Sequence, residues 1–306
     1  MPSQSKRVLV TGKNGQLGQS LKRFSEAHSQ FSFDFVGREE LDLSNSESIE
    51  HYFSNNSYDV IINCAAYTEV DKAESEPELA DQINHLAVKQ LADIAKQQNA
   101  ILIHISTDYV FNGQSYQPYI ETDSTDPQSV YGATKLKGEQ AFSEVNPQGC
   151  IIRTSWVYSE YGNNFVKTML RLGLEREQLG IIFDQVGTPT YAGDLAKAIL
   201  QVISHASLNE PQKALSSNTE QIGSAKIFHF SNEGVCSWYD FAKSIFEYAK
   251  LPCDVMPIET KDYPTPAKRP HYSLLNKAQI KQTFDLTIPY WKDSLKTCIK
   301  RLQEQN

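Results

Sequence analysis

Short strand-like runs alternate with helix-like periodic segments along the first half of the chain. Strands are predicted at 8–10, 31–36, 60–62 and 101–105. Between them, apolar residues recur at intervals of three or four, as at Leu17, Leu21 and Phe24 and along 83–94, which predicts helices. Alternation of this kind favours right-handed crossovers between neighbouring strands. The pattern therefore predicts an α/β fold built on a doubly wound parallel sheet.

Beyond about residue 155 the alternation becomes irregular. Strands are predicted at 181–183 and 227–230, a helix at 191–204 and a polar loop at 208–224. Two helix starts carry a local signature. Ser44, with Glu47 three residues later, has the spacing of a capping box, and Ser237 is placed to cap a helix over 238–248. We expect the second half to form a smaller domain that covers a cleft.

A glycine-rich turn joins the first strand to the first helix. Gly12, Gly15 and Gly18 have the spacing GxxGxxG, a variant of the dinucleotide fingerprint. The first glycine allows a tight bend, the second lets backbone approach a pyrophosphate, and the third allows close helix–strand packing. The spacing alone is weak, but strand, turn and helix follow in the required order. We therefore predict a Rossmann-like NAD(P)-binding domain over 1–155, to which about 179–206 return, and a mainly substrate-binding domain over 156–306.

The residue that meets the adenosine ribose should follow this motif by about 20 positions, where Arg38 stands. The planar guanidinium of an arginine can pair with a 2′-phosphate, which would favour NADPH over NADH. Two alternatives to this role stay open. In the first, Arg38 is an ordinary solvated arginine; in the second, Asp34 in the preceding strand binds the ribose hydroxyls instead. Asp42 and Leu43 are then expected near the adenine ring.

Tyr131 and Lys135 provide the main chemical signal. Their spacing of four residues puts both on one face of a helix. A free tyrosine has a pKa near ~10, and a neighbouring ammonium favours the phenolate, which would bring that pKa toward the working range. Thr107 ends a predicted strand, so it should face the cleft at the carboxyl edge of the sheet, where its hydroxyl can bind a substrate oxygen. Together with the glycine turn, these residues predict an oxidoreductase.

Composition narrows the partners. The 306 residues carry a net charge of −8, which argues against a broad nucleic-acid or anionic-membrane surface. Residues 1–7 lack the apolar core of a signal peptide, and no stretch reaches the roughly 20 apolar residues of a membrane span. The five cysteines are scattered without CxxC spacing, and the seven histidines show no ligand spacing, so no metal site is predicted. We expect a reduced, cytoplasmic enzyme.

Along nearly its whole length the chain resembles the dTDP-4-dehydrorhamnose reductases, a family of extended short-chain dehydrogenases/reductases. The segments that carry the resemblance are GKNGQLG (12–18), NCAAYT (63–68), VDKAE (70–74), STDYVF (106–111), RTSWVY (153–158) and PTPAKRP (264–270). The resemblance implies NADPH as cofactor, with NADH as a second one, and a dTDP-sugar as substrate. The reaction it implies is the last step of dTDP-L-rhamnose synthesis.

The resemblance also implies roles for matching positions. Tyr131 would be the proton donor and Lys135 its partner, while Thr107 and Asp108 would touch the sugar. Trp156 would line the substrate pocket, although by itself it fits a core aromatic, and Lys268 and Arg269 would bind the diphosphate. The expected dinucleotide contacts, besides the glycines, Arg38 and the Tyr–Lys pair, are Gln16, Leu17, Asp42, Leu43, Cys64, Ala65 and Ala66.

One departure and several alternatives stay open. Some members of the family dimerise through a metal held by carboxylates, one of them on the first helix, where this chain has Gln19 and Ser20. A metal-bridged dimer is therefore not expected, and metal dependence and a homodimer are left open. Thr107-Asp108 is followed by Tyr109 rather than the Glu of sugar-nucleotide dehydratases. A reductase or epimerase of another sugar nucleotide, or a non-catalytic regulatory subunit of methionine adenosyltransferase, remains an alternative.

Overall fold

A six-stranded parallel sheet forms the centre of the protein. The computed structural model describes residues 5–208 and 226–304, without the side chains of 206–208. The strands of the sheet are β1 (Lys6–Thr11), β2 (Phe31–Val36), β3 (Val60–Asn63), β4 (Ile101–Thr107), β5 (Gly149–Thr154) and β10 (Lys226–His229). The strand order is β10-β5-β4-β3-β1-β2, and every neighbouring pair is parallel. The predicted α/β fold with a doubly wound parallel sheet is confirmed.

Helices cover both faces of this sheet. The helices of the described part of the chain are α1 (Gln16–Ser25), α2 (Ser46–Ser54), α3 (Val70–Ala73), α4 (Pro77–Asp81), α5 (Ala87–Gln98), α6 (Val130–Val145), α7 (Phe165–Glu175), α8 (Ala192–Leu208), α9 (Trp238–Ala249), α10 (Ala278–Phe284) and α11 (Trp291–Glu304). A π-helical turn (Gln82–Leu86) joins α4 to α5, and 3-10 turns lie at Asp108–Val110 and Thr260–Asp262. One core packs α1, α8 and α10 against the sheet, and a second packs α2, α5 and α6 against its other face.

A third core lies in the second half of the chain. It joins α7, α9 and α11 around buried residues such as Phe241, Trp291 and Leu295. The strand predicted at 181–183 is β7 (Gln178–Ile182), and it pairs in parallel with β12 (Asp254–Ile258) rather than with the main sheet. In contrast, α8 packs on α1, and β10 lies at the edge of the main sheet. The short strands are β6 (Val157–Tyr158), β8 (Val186–Gly187), β9 (Thr190–Tyr191) and β11 (Cys236–Ser237).

Of the two predicted helix caps, the structure contradicts one and confirms the other. The prediction that Ser44 caps α2 is wrong, because Asn45 is the N-cap and its side chain accepts from the backbone N–H groups of Glu47 and Ser48. The Ser44 hydroxyl instead donates to Asp42 at 2.7 Å. The prediction for Ser237 is confirmed, since it forms a capping box with Asp240. The predicted loop at 208–224 lies, apart from residue 208, outside the described residues.

A buried ion pair ties α6 to the sheet. Arg153 on β5 donates to both oxygens of Glu139, with Nη2–Oε2 at 2.6 Å, and both side chains are 3% exposed. Ser106 on β4 donates to the same carboxylate at 2.5 Å. Glu139 lies one turn beyond Lys135, so this contact fixes the helix that carries the Tyr–Lys pair against two strands.

We expect Glu139→Ala to lower the free energy of unfolding by about 3–5 kcal/mol, because it leaves the Arg153 charge buried without its counter-ion. Chemical denaturation measures the change. Glu144→Ala, at an exposed position of the same helix, is the control and should stay within about 0.5 kcal/mol of the parent. A loss of less than about 1 kcal/mol for Glu139→Ala would contradict a structural role for the pair.

Candidate active site

The glycine turn leaves its backbone open toward the cleft. Gly12 has a φ of 71°, a left-handed conformation that favours glycine. A Cβ on Gly18 would lie 2.2 Å from the Gly12 carbonyl oxygen, so this close helix–turn packing admits only glycine. The helix α1 begins with Gly15 as N-cap and no side-chain cap. Its first N–H groups therefore face outward without a side-chain acceptor, as binding of a pyrophosphate requires.

The Gln16 side chain points away from this turn. Its Oε1 accepts from the Ser159 hydroxyl and from Asn164 Nδ2, both at 3.0 Å, and its Nε2 donates to the Val157 carbonyl at 3.3 Å. Leu17, also an expected contact, is buried in the core. Any contact of these two residues with a dinucleotide would therefore be made by their backbone.

The turn after β2 brings two cations together. The Arg38 side chain is 75% exposed and donates from Nε to Asp42 at 3.2 Å. Lys13, from the glycine turn, forms an ion pair with Glu40 beside it. Asp34 is paired with Arg7 on β1 at 2.8 Å. Arg38 and Lys13 thus lie near the turn after β2, where a 2′-phosphate is expected, while the Asp34 carboxylate, expected at the ribose hydroxyls in the alternative, pairs with Arg7.

The segment after β3 lies directly beneath the glycine turn. A Cβ on Gly12 would lie 3.0 Å from the Ala65 nitrogen and 3.2 Å from the carbonyl carbon of Cys64. The side chain of Leu43, which was expected near the adenine, is buried in the core that packs α2, α5 and α6. The structure thus brings the turn and 64–66 together and buries the side chain of Leu43.

Thr107, at the end of β4, and Asp108, which follows it, are both buried. The Thr107 hydroxyl donates to Asp108 Oδ1 at 3.0 Å, and the two residues are 5% and 2% exposed. The Ser273 hydroxyl lies near the same carboxyl, and its hydrogen bond, like that of Thr107, lowers the pKa of Asp108. Burial raises the pKa of Asp108 to about 7, against the opposing effect of its hydrogen bonds.

Tyr131, in the first turn of α6, lies beside this pair. Its ring packs edge-to-face on Tyr109 with the centroids 5.5 Å apart. Burial raises the pKa of Tyr131 to about 12, while its contact with the Thr107 side chain opposes the rise and the charge of Asp108 adds to it. The phenol therefore keeps its proton at neutral pH, as a proton donor must.

Lys135 lies one turn further along α6 and is 2% exposed. Its Nζ donates to the Ile105 carbonyl at 2.6 Å and lies 3.3 Å from His104 Nε2. Burial lowers the pKa of Lys135 to about 8, with the Glu139 carboxylate opposing the change. The Lys135 ammonium was expected to lower the pKa of Tyr131, but it points toward β4 instead. The group that lowers the pKa of Tyr131 is Thr107.

The second half of the chain supplies the far wall of the cleft. The Trp156 ring stacks on Trp238 at 3.6 Å between centroids, and the Trp156 backbone has a φ of 49°. Next to this stack is a pocket of about 570 Å³, lined among others by Trp238, Arg176 and Arg269. Arg269 forms a bidentate pair with Asp71 at 2.7 and 2.9 Å, whereas the exposed Lys268 contacts Gln128. Trp156 and Arg269 thus lie on the same side of the site.

Sequence reasoning missed three residues of this site. Trp238 and Arg176 stand in helices or loops without a local motif, so no spacing could identify them. Asp71 belongs to VDKAE, a segment that carries the family resemblance. In the structure Asp71 pairs with Arg269 through two hydrogen bonds, which also lower the pKa of the Asp71 carboxyl. Its place in this segment was the only sequence signal that could have identified it.

Comparison with known proteins identifies the family. The family profile described as the RmlD substrate binding domain matches residues 6–304. The chain belongs to this family.

Similar proteins within the RmlD family agree with the resemblance found in the sequence. A dTDP-4-dehydrorhamnose reductase of Aggregatibacter actinomycetemcomitans is 41% identical over 297 residues, which cover 95% of this chain and 97% of the relative. One of Escherichia coli strain K12 is 41% identical over 307 residues, covering 96% and 97%. A solved structure of the Bacillus anthracis dTDP-4-dehydrorhamnose reductase in complex with NADP has a TM-score of 0.88 and 37% identity, covering 97% of this chain and 100% of that one. The resemblance to this reductase family is confirmed.

Two further observations concern metals and membranes. Within residues 5–208 and 226–304, no group of three or more His, Cys, Asp or Glu side chains is arranged to hold a metal ion. In the same part of the chain, no helix combines the length and the apolar character needed to cross a bilayer. All five cysteines are free thiols.

The raised pKa of Asp108 predicts a stability that depends on pH. The folded state holds this proton up to about pH 7, whereas an unfolded aspartate loses it near ~4, so stability falls as pH rises between these values. Asp108→Asn removes this loss. We expect the variant to gain up to roughly 4 kcal/mol over the parent at pH 8 relative to pH 4. Denaturant titrations at both pH values measure this difference, and an equal effect at both would contradict it.

Proposed function

We propose that this protein reduces the C4 keto group of dTDP-4-dehydro-β-L-rhamnose to give dTDP-L-rhamnose, with NADPH as the preferred reductant. The observation that carries the proposal is the Tyr131 phenol beside Thr107 at the carboxyl end of β4, in a chain related over its full length to reductases of this substrate. This is the last step of dTDP-rhamnose synthesis, which supplies cell-surface polysaccharides. We place the enzyme in the cytoplasm.

The residues around the glycine turn fit a dinucleotide. The uncapped N-terminus of α1 would hold the pyrophosphate, and Arg38 would meet the 2′-phosphate of NADPH. The backbone of 64–66 lines the same cleft. When bound, the reduced nicotinamide supplies the hydride, which is chemistry that no side chain of this protein provides.

Tyr131 supplies the proton. Its Oη donates to the carbonyl oxygen at C4 as that carbon is reduced, and Thr107 orients the same oxygen through its hydroxyl. The phenolate left on Tyr131 is stabilised by the positive charge of Lys135 one turn away. Because Lys135 is buried, its charge acts more strongly there than it would in water.

The remote end of the substrate would occupy the pocket beside Trp238. Arg176 and Arg269 line it and offer positive charge to a diphosphate, although Arg269 must share its charge with Asp71. Trp156, stacked on Trp238, would pack against the sugar or base. Binding energy from this end would then orient the C4 carbonyl at Tyr131. In this proposal residues 1–155 with α8 form the cofactor domain, and most of 156–306 forms the substrate domain.

An assay with the purified protein tests the function. NADPH consumption is followed with enzymatically prepared dTDP-4-dehydrorhamnose, and the product sugar is identified by chromatography and NMR. Parallel arms use other 4-keto sugar nucleotides. Formation of dTDP-L-rhamnose with one NADPH consumed per sugar supports the proposal. Faster turnover of another sugar nucleotide, product formation without net NADPH consumption, or no turnover of any of them would overturn it.

Tyr131→Phe should lower kcat by about 100- to 10,000-fold, because the proton donor is lost while the ring stays in place. NADPH binding, measured by fluorescence titration, should change little. Tyr116→Phe serves as the control, since the Tyr116 side chain is 87% exposed. A Tyr131→Phe variant with the turnover of the parent would show that another group gives the proton.

Arg38→Ala should weaken NADPH binding more than NADH binding, by about 1.5–3 kcal/mol for a lost charge-assisted contact. Titration of both cofactors measures the difference. Lys22→Ala removes an exposed cation at the other end of α1 and should leave the ratio unchanged. Equal losses for both cofactors would mean that Arg38 does not meet the 2′-phosphate.

A further inference from the structure

A row of buried polar side chains crosses three neighbouring strands behind the glycine turn. Thr11, Asn63 and His104 are direct partners in the parallel registers of β1, β3 and β4. Their exposed fractions are 2%, 1% and 0%. Buried polar groups are costly unless they are fully hydrogen-bonded, so a continuous row of them calls for a role beyond packing.

The row forms one hydrogen-bonded chain that ends at Lys135. The Ala65 N–H donates to Thr11 Oγ1 at 3.1 Å, and the Thr11 hydroxyl donates to Asn63 Oδ1 at 2.7 Å. Asn63 Nδ2 lies 3.2 Å from His104 Nδ1. His104 Nε2 then lies 3.3 Å from Lys135 Nζ.

The backbone N–H of Ala65 sets the direction of this chain. It can only donate, so Thr11 accepts from it and keeps its own proton for the 2.7 Å contact with Asn63 Oδ1. The amide nitrogen of Asn63 therefore faces His104 Nδ1, which must accept. A neutral imidazole carries one proton, and that proton is left on Nε2, directed at Lys135. Burial and the Lys135 charge hold the pKa of His104 well below its ordinary range, which keeps the ring neutral.

We propose that Thr11, Asn63 and His104 form a positioning relay that directs the His104 Nε2–H at Lys135 and so eases release of the Lys135 proton. An N–H aimed at an amine stabilises the neutral form and disfavours the ammonium. The other groups around Lys135 are the Ile105 carbonyl, the Glu139 carboxylate, which favours the ammonium, and Tyr131 one turn away. The arrangement of the relay does not depend on the proposed function. Only its effect on catalysis, through a Lys135 that exchanges its proton near neutral pH, rests on that function.

The tautomer of His104 tests the relay in the protein alone. Two-dimensional NMR of protein labelled with ¹⁵N-histidine, recorded at pH 9, distinguishes the two tautomers, and the resonance is assigned by its loss in His104→Gln. We expect the proton on Nε2. A proton on Nδ1 would overturn the proposal. Because this measurement needs no substrate, its outcome is independent of the failure or success of the proposed function.

Two variants test the effect on Lys135. Asn63→Asp replaces the amide by an acceptor of the same shape, which moves the His104 proton to Nδ1 and lets Nε2 accept from the ammonium. The alkaline limb of the kcat–pH profile should then move up by about one unit. Thr11→Val frees the Asn63 amide to turn and should move the limb in the same direction, whereas Thr11→Ser keeps the hydroxyl and should restore the parent profile.

His229→Gln is the matched control. His229 is also 0% exposed and lies on β10, but its ring contacts the Tyr119 carbonyl and not Lys135. The alkaline limb should stay in place in this variant. An unchanged limb in both Asn63→Asp and Thr11→Val, or a downward shift in either, would overturn the effect on Lys135. Where Asn63→Asp does not fold, the pair Thr11→Val and Thr11→Ser decides the question.

Discussion

Glu139 and Arg153 meet in the interior, each 3% exposed, and Ser106 completes the coordination of the carboxylate. Taking two charges out of water is costly, and the bidentate contact together with the Ser106 hydrogen bond offsets part of that cost, while Arg153 Nη1 is buried without a hydrogen-bond partner among the described residues. The pair therefore holds α6 in one position relative to β4 and β5. This fixed position places Tyr131 beside Thr107 and Lys135 against the Ile105 carbonyl and His104, so the candidate chemistry depends on an ion pair that takes no part in it.

Desolvation is the second constraint on the site. Burial raises the pKa of Tyr131 and Asp108 and lowers the pKa of Lys135 and His104. Each shift favours the neutral form of its group, as burial in a low-dielectric interior does. A protonated phenol, a carboxyl that titrates near neutrality and a lysine that ionises near pH 8 are thereby collected within one cleft. Small changes in its hydrogen bonds then decide where protons reside.

A set of polar contacts connects the two halves of the molecule around this cleft. Gln16, at the start of α1, holds the segment that follows Trp156. Glu160, at the end of that segment, is buried and pairs with Arg23 on α1 and Arg301 on α11. The helix whose N-terminus faces the dinucleotide cleft is thus attached to the wall that carries Trp156. The position of one side of the cleft therefore depends on the other.

The alternation of strands and helices, the glycine turn and the Tyr–Lys spacing could all be predicted from local patterns in the chain. These features follow from periodicity and from backbone conformations such as that of Gly12, which depend on few neighbours along the chain. The family resemblance added the far residues Trp156 and Arg269. Three features could not be predicted in this way: β7 lies outside the main sheet, the Gln16 side chain faces away from the turn, and Lys135 points at His104. Those outcomes depend on contacts between residues distant in sequence, as in Gln16 with Asn164 or Arg269 with Asp71, and on burial, which no local pattern encodes.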